Sequence, residues 1–306
     1  MEPLTTKNHA VAVIGGVNMD ICGRPDKRAV KRDSNPGVIS ACPGGVGRNI
    51  AHDLRLLGAD VSLIAPVGGD FYGAELLESC RCLGIDMSMS PVFTGVRSST
   101  YLYITDEHGD MQLAVADMDI TKRITPQFLA QYIDRINSYS GVVFDVNIEA
   151  DALEYAAERI TAPIYADTVS TAKAPRIKNI LPFLTAVKPN LIEAQTLTGK
   201  IWPEDCAEGL LAMGVKKVFI SLGSDGMLAA DRSETLKIPC SRCRIVNTTG
   251  AGDAAMAAIV LADLNGLSLG DTARLGVRAG TLTCMDESAN SANLSLLTEN
   301  GGSDGK

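Results

Sequence analysis

Short runs of apolar residues alternate along the chain with longer stretches in which apolar positions recur every three or four residues. The short runs, 10–14, 61–66, 142–146, 164–166, 185–187 and 218–221, have strand length and are rich in Val, Ile, Leu and Ala. Strands buried on both faces read this way, because helices cover a parallel sheet on each side. The longer stretches, 47–57, 73–83, 125–137, 151–160, 203–213 and 254–264, predict those helices. The alternation therefore predicts an α/β fold, a mostly parallel sheet flanked by helices in three layers. Polar or glycine residues follow each strand: Asn18 and Asp20, Gly68 to Asp70, Asn147, Asp167 and Thr168, Lys188 and Asn190, and Gly223. Ligands of open α/β sheets bind outside the carboxyl ends of the strands, so these residues should meet at one crevice.

Two regions break the rhythm. Residues 21–42 and 95–117 read as extended, and Tyr101 to Thr105, Asp106-Glu107-His108-Gly109-Asp110 and Met111 to Val115 have the form of a hairpin. They predict a small β-sheet lid over the crevice, although an ordinary edge hairpin has the same spelling. A lid would matter chemically, because it keeps water from a reacting phosphate. No linker or internal repeat marks a second unit, so residues 1–306 are expected to form one domain.

Composition narrows the function classes. With 306 residues, 46% hydrophobic and 21% charged, the chain can bury a large core. A formal net charge of −8 argues against a nucleic-acid partner, which would need clustered Lys and Arg. The first nine residues are polar, and the run 254–264 is too short to span a bilayer and contains Asp263, so no membrane partner is expected. Eight irregularly spaced cysteines fit reduced thiols and a cytoplasmic protein. Cys240-Ser241-Arg242-Cys243 is a lone CxxC without the second ligand pair of a structural zinc site.

The chemistry concentrates in small-residue segments. Asn247-Thr248-Thr249-Gly250-Ala251-Gly252-Asp253 opens the apolar run 254–264. Gly250, Ala251 and Gly252 would let backbone N–H groups face an oxyanion at a helix start, and Asp253 would accept a proton from an attacking hydroxyl. A helix-capping turn would be spelled the same way. Pro43-Gly44-Gly45-Val46-Gly47-Arg48-Asn49 precedes another helix, and Gly44 and Gly45 permit close approach while the Asn49 amide reaches a hydroxyl. Asn18 and Asp20 pair an amide with a carboxylate, suited to two adjacent sugar hydroxyls, or simply to a turn. Asn190 and Glu193, three apart at a helix start, offer hard oxygens to Mg2+, or else form a solvated face. The histidines His9, His52 and His108 lie outside every motif.

The early and late glycine segments, in this order, resemble the signature pair of the ribokinase-like (PfkB) carbohydrate kinases. Gly15-Gly16-Val17-Asn18-Met19-Asp20, Lys188-Pro189-Asn190 with Glu193, and Ser221-Leu222-Gly223-Ser224-Asp225-Gly226 extend the resemblance over roughly residues 10–297. It implies a kinase with Asp253 as base and Gly250, Ala251 and Gly252 as anion hole. The sugar falls to Asn18, Asp20, Gly44, Gly45 and Asn49. ATP falls to Asn190, Ser221, Gly223, Gly226 and Thr249, with Mg2+ organised by Asn190 and Glu193 through water. A tight hairpin would spell 221–226 equally well. The resemblance also implies a homodimer through the lid, and K+ near Asn247, Thr249 and Ser288. Asn247 stands where most members have Asp, and Ala255 where they usually have Phe.

Ser34-Asn35-Pro36-Gly37, residues 116–120 and residues 166–173 are similar to the members of that family that phosphorylate pseudouridine. Their likeness implies a small-molecule nucleoside as substrate, phosphorylated on its 5′-hydroxyl, with Ser34, Asn35, Ser98 and Thr100 at the base end. These four read equally well as lid turn and strand residues. A ribokinase, another nucleoside kinase and a noncatalytic sensor remain open.

Overall fold

The computed structural model describes residue 4 and residues 9–298. The strands are β1 (Ala10–Ile14), β2 (Asn18–Pro25), β3 (Gly37–Gly44), β4 (Asp60–Ile64), β5 (Val67–Gly68), β6 (Val92–Phe93), β7 (Thr100–Thr105), β8 (Met111–Asp117), β9 (Gly141–Asp145), β10 (Ile164–Asp167), β11 (Ala186–Lys188), β12 (Lys217–Ser221), β13 (Met227–Ala230) and β14 (Thr235–Ile238). The helices are α1 (Val46–Leu56), α2 (Phe71–Cys82), α3 (Pro126–Ala130), α4 (Ile133–Ile136), α5 (Ala150–Ala157), α6 (Leu191–Thr198), α7 (Pro203–Ala212), α8 (Ala251–Leu264) and α9 (Leu269–Cys284).

The main sheet runs β14-β13-β12-β11-β10-β9-β1-β4, parallel from β12 to β4 and antiparallel at the β13–β14 edge. Period-two alternation divides its side chains between two apolar layers: Val11 and Val13 join α1, α8 and α9, whereas Ala12 and Ile14 face the layer that includes α5 and α7. Helix α8 is buried from Ala254 to Ala262. Glycines let α9 pack closely on it, since a methyl built on Gly276 would lie 3.0 Å from Ile259, and one on Gly280 3.0 Å from the Ala251 carbonyl. Those glycines also weaken helix propensity, and α9 is not evident from the sequence pattern. The helix expected at 125–137 is interrupted: Thr125 caps α3, and Tyr132 leaves helical geometry at φ −121°, ψ −1° before α4.

A separate sheet, β3-β2-β7-β8, contains the expected hairpin, with β7 and β8 antiparallel and β2 and β7 parallel. Asn18 pairs with Gly44 at one end of the β2–β3 hairpin and Pro25 with Gly37 at the other. Among the described residues no helix is long and apolar enough to cross a membrane.

Candidate active site

Parallel strands bring four ionisable residues to one edge of the main sheet. Asp145, Asp167 and Lys188 end β9, β10 and β11 and are in register side by side, and Glu193 lies in the first turn of α6 just beyond β11. All four are buried. Asp145 Oδ2 accepts from the backbone N–H of Gly16 at 2.8 Å and of Gly47 at 2.9 Å, so one carboxylate ties the loop after β1 to the start of α1. Lys188 Nζ lies 2.9 Å from Asp167 Oδ2. Burial works against the Lys188 charge, yet Asp167, aided by Asp253 and Glu193, outweighs it and holds the ammonium above its ordinary value.

The glycine turn stands beside this row. Gly250 adopts φ +80°, and a Cβ there would fall 2.0 Å from the Ala289 carbonyl oxygen, so the turn closes against the 287–291 segment only without a side chain. A methyl on Gly252 would lie 3.4 Å from Lys188 Nζ, which puts a buried cation next to the turn. Of the expected anion hole, the Ala251 N–H donates to the Thr248 carbonyl at 3.4 Å, whereas the N–H groups of Gly252 and of Asp253, in the first turn of α8, have no intrahelical acceptor.

Asp253 is held by Asn49, whose Nδ2 donates to Asp253 Oδ2 at 2.9 Å. Burial pushes the Asp253 carboxyl up to about 8; Asp167 and Asp145 add to the rise, and Asn49 and Lys188 oppose it. A carboxyl with that value is poised to exchange a proton near neutral pH. Asn49 is thus joined to the carboxylate, a contact that its place in a glycine segment does not announce. Behind it, Asn290 Nδ2 donates to the Asn49 carbonyl at 3.1 Å and to buried Asp53 Oδ1 at 2.8 Å.

On the opposite side, Asn18 Nδ2 donates to Asp20 Oδ1 at 2.6 Å. A Cβ on Gly44 would lie 2.1 Å from Asp20 Oδ2, and one on Gly45, at φ +100°, 2.9 Å from Asn18 Oδ1. The structure therefore brings Asn18, Asp20, Gly44 and Gly45 together, with Asn49 and Asp253 linking them toward the glycine turn. Burial raises the Asp20 carboxyl, with Asn18 and Arg48 opposing.

The residues expected at the base end are distributed differently. Ser98 is consumed in a knot: its Oγ donates to Asp70 Oδ1 at 2.6 Å and accepts from Gly68 N at 2.9 Å, while Asp70 caps α2. Thr100 pairs with Met19, so strand alternation turns it to the face opposite Asp20. Asp20 shares its face with Tyr101 and Cys42, and Tyr103 follows on the same side, its ring 5.7 Å from that of Tyr101. The alternation Tyr101-Leu102-Tyr103 was the signal for these two tyrosines. Ser34 and Asn35 lie beyond the Pro25–Gly37 end of the hairpin, roughly 23 Å from Asn18 at about 3.3 Å per residue. The Asn35 amide folds its own turn onto Val30 at 2.7 and 3.0 Å.

Asn190 and Glu193 form a capping box at the start of α6, and Thr168 Oγ1 donates to Glu193 Oε2 at 2.5 Å. Glu193 Oε1 accepts one bond among these, from Asn190 Nδ2 at 2.8 Å, and retains capacity for a water. The strand end carrying Ser221 pairs with Asn190, and β12 turns back antiparallel into β13 through Gly223 and Gly226, both at positive φ. The hairpin spelling was thus correct, and the same hairpin lines a mainly apolar cavity of about 320 Å³ with Thr248, Ala251, Gly252 and Ala255. Asn247 is a strut: its Nδ2 donates to the Glu287 carbonyl at 3.0 Å and its Oδ1 accepts from Thr249 N at 2.9 Å. Ser288 Oγ accepts from Asn290 N at 3.2 Å.

A mostly parallel sheet of this order, flanked by helices and accompanied by a separate four-stranded sheet, is the ribokinase-like fold. The chain belongs to the pfkB family carbohydrate kinases, which it matches over residues 8–295. It is 35% identical to the uncharacterized sugar kinase YeiI of Escherichia coli, over 95% of this chain and 83% of that one. It is 33% identical to the pseudouridine kinase of the same organism, over 94% of each. A solved carbohydrate kinase from Agrobacterium tumefaciens superimposes with a TM-score of 0.83 at 30% identity, covering 94% of each chain.

Proposed function

We propose that the chain transfers the γ-phosphate of MgATP to the 5′-hydroxyl of pseudouridine. The Asn49–Asp253 hydrogen bond carries this reading, because it couples the segment suited to a sugar to the carboxylate beside the anion-binding turn. Asp253, once ionised, takes the proton of the attacking hydroxyl, while the N–H groups of Gly252 and Asp253 and the Lys188 ammonium offset the charge of the transferring phosphoryl group. Asn18 and Asp20 hold the ribose hydroxyls. The cavity of about 320 Å³ receives the adenine end of ATP, with Ser221, Gly223 and Gly226 on its wall.

One carboxylate and one amide are too few to hold Mg2+ alone; they fit a cation carried on the phosphates and touched through its waters by Asn190 and Glu193. When bound, Mg2+ neutralises phosphate charge. Asn247, Thr249 and Ser288 carry no charge, so activation by K+ should be weak.

Pseudouridine is favoured over free ribose by the pair Tyr101 and Tyr103 on the Asp20 face, which offers ring surface to a base. The similarity to a pseudouridine kinase supports the same substrate, while the sugar-kinase relative keeps ribose as the second reading. The small sheet acts as lid, and its outer face, with Ile39, Leu102, Ile104, Leu113 and Val115 exposed, suits a homodimer contact. ADP release with pseudouridine, uridine, adenosine and ribose tests the assignment. Pseudouridine should exceed free ribose by about 10-fold or more in kcat/KM, the contribution of a base stacked on the tyrosine rings. Equal kcat/KM for ribose and pseudouridine would make the enzyme a ribokinase, and binding without turnover on any acceptor would make it a sensor.

A further inference from the structure

Three of the residues lining the 320 Å³ cavity are cysteines: Cys240 and Cys243 on the irregular segment between β14 and α8, and Cys284 at the end of α9. All are free and half-buried. Cys240 Sγ lies 3.3 Å from Thr281 Oγ1, and the Cys284 carbonyl accepts from Val246 N at 2.8 Å, so the segment is fastened to α9 with its thiols at the cavity. Exposed Arg242 and Arg244 flank Cys243. No group of three or more His, Cys, Asp or Glu among the described residues is placed to hold a metal ion, which leaves the thiols themselves as the reactive feature. Burial, with Cys243 and Cys240 nearby, raises the Cys284 thiol and disfavours its thiolate.

We propose that this thiol wall is a modification site for small anionic disulfides of the glutathione type, and that the adduct and a nucleotide exclude one another. The proposal rests on the assignment of this cavity to ATP. The thiolate of Cys243 or Cys240 attacks one sulfur of the disulfide; the old S–S bond breaks, a new one forms on the protein, and the other half leaves as a thiolate. The protein sulfur is oxidised, the departing sulfur is reduced, and excess free thiol reverses the step. Arg242 and Arg244 attract the carboxylates of such a disulfide. A tripeptide adduct on the wall leaves no room for an adenine in a cavity of this size.

The exposed cysteines Cys42 and Cys82, on β3 and α2, supply an internal reference. The reduced full chain is treated with glutathione disulfide with and without MgATP, the adducts are assigned by peptide mass spectrometry, and ATP binding is measured by calorimetry before and after. ATP at ten times its Kd should slow adduct formation at Cys240 and Cys243 by about 10-fold and leave Cys42 and Cys82 unaffected. The adduct should weaken ATP binding by at least ~10-fold, with recovery on reduction by dithiothreitol. In Cys240→Ser/Cys243→Ser, the ATP-protected adduct should vanish from the mass spectrum while those on Cys42 and Cys82 persist. ATP that binds without protecting these thiols, adducts confined to Cys42 and Cys82, or an adduct that binds ATP normally would each overturn the proposal alone. Failure of the reduced chain to bind ATP would overturn the nucleotide assignment and this proposal together.

Discussion

At the carboxyl ends of the main strands, Asp145, Asp167, Lys188 and Glu193 are buried and partnered by one another or by backbone N–H groups, and the Asp253 carboxylate is hydrogen-bonded by Asn49. The small sheet is built the other way. It has a polar face with Asp20, Tyr101 and Tyr103 and an apolar face on which Ile39 is 79% and Leu113 61% exposed. The first region is preorganised, because charges in a low-dielectric setting are held only by fixed partners. The second has surface still to cover. Phosphoryl chemistry is therefore expected to depend on the body of the protein, and acceptor choice on where the small sheet comes to rest.

Removing the carboxylate of the rigid region should have the largest effect. Asp253→Asn is expected to lower kcat by about 10³-fold while leaving ATP affinity nearly intact, as for loss of a general base; steady-state kinetics with ATP calorimetry would test this, and retained turnover would reduce Asp253 to a helix cap. In the wild type kcat/KM should rise with pH and level off above about 8, because the base must be ionised. The same raised value acts on stability in the opposite sense. The stability it contributes is present below the ordinary carboxyl value and is lost as pH rises through about 8. Asp253→Asn should therefore gain in Tm relative to wild type at about pH 9 but not at about pH 5, by roughly 2–4 °C for each kcal/mol.

Asp20→Ala tests the junction of the two regions. It should raise the acceptor KM by about 10²-fold, the cost of losing a charged acceptor, with ATP affinity unchanged. An equal loss for both ligands would remove Asp20 from the sugar site. Glu193→Gln should shift the Mg2+ activation midpoint upward by about 3–10-fold through loss of one charged oxygen, without altering acceptor KM; an unshifted curve would leave the capping box a purely structural device. The smallest change in chemistry is expected from Leu113→Lys on the apolar face. It should turn a dimer into monomers in light scattering while kcat changes by less than about 3-fold, since charge is disfavoured at an interface core. A wild-type chain already monomeric would dissolve that part of the comparison.

The rigid region was the more legible in the sequence. Short apolar runs announced β1, β9, β10 and β12, and residues after strand ends in a parallel sheet converge by topology, so Asn18, Asp20 and Asn190 could be singled out, while Asp253 was marked by the glycine turn before it. Lys188 was placed at the crevice but given no catalytic part, because a lysine at a strand end is ordinary in sequence. Only the register with Asp167 and the missing side chain of Gly252 reveal its place. Asp145 was hidden likewise, because the groups that donate to it are backbone N–H groups 98 and 129 residues away. In the small sheet, Thr100 was misjudged by a single step of alternation, and Ser98 by a contact with Asp70 that no local pattern encodes.

The order of strands also sets a schedule for biosynthesis. β1 can pair with β4 early, but its other edge waits for β9, made after the entire small sheet, and α1 packs against α8 near the other end of the chain. A nascent chain that has emerged through Asp117 can pair every strand of the small sheet, yet it lacks Lys188, the glycine turn and Asp253. Long-range pairings of this kind are slow to close. Translation that stalls midway thus leaves a fragment able to present an apolar surface but without the residues of the candidate site, a species prone to aggregate rather than to act.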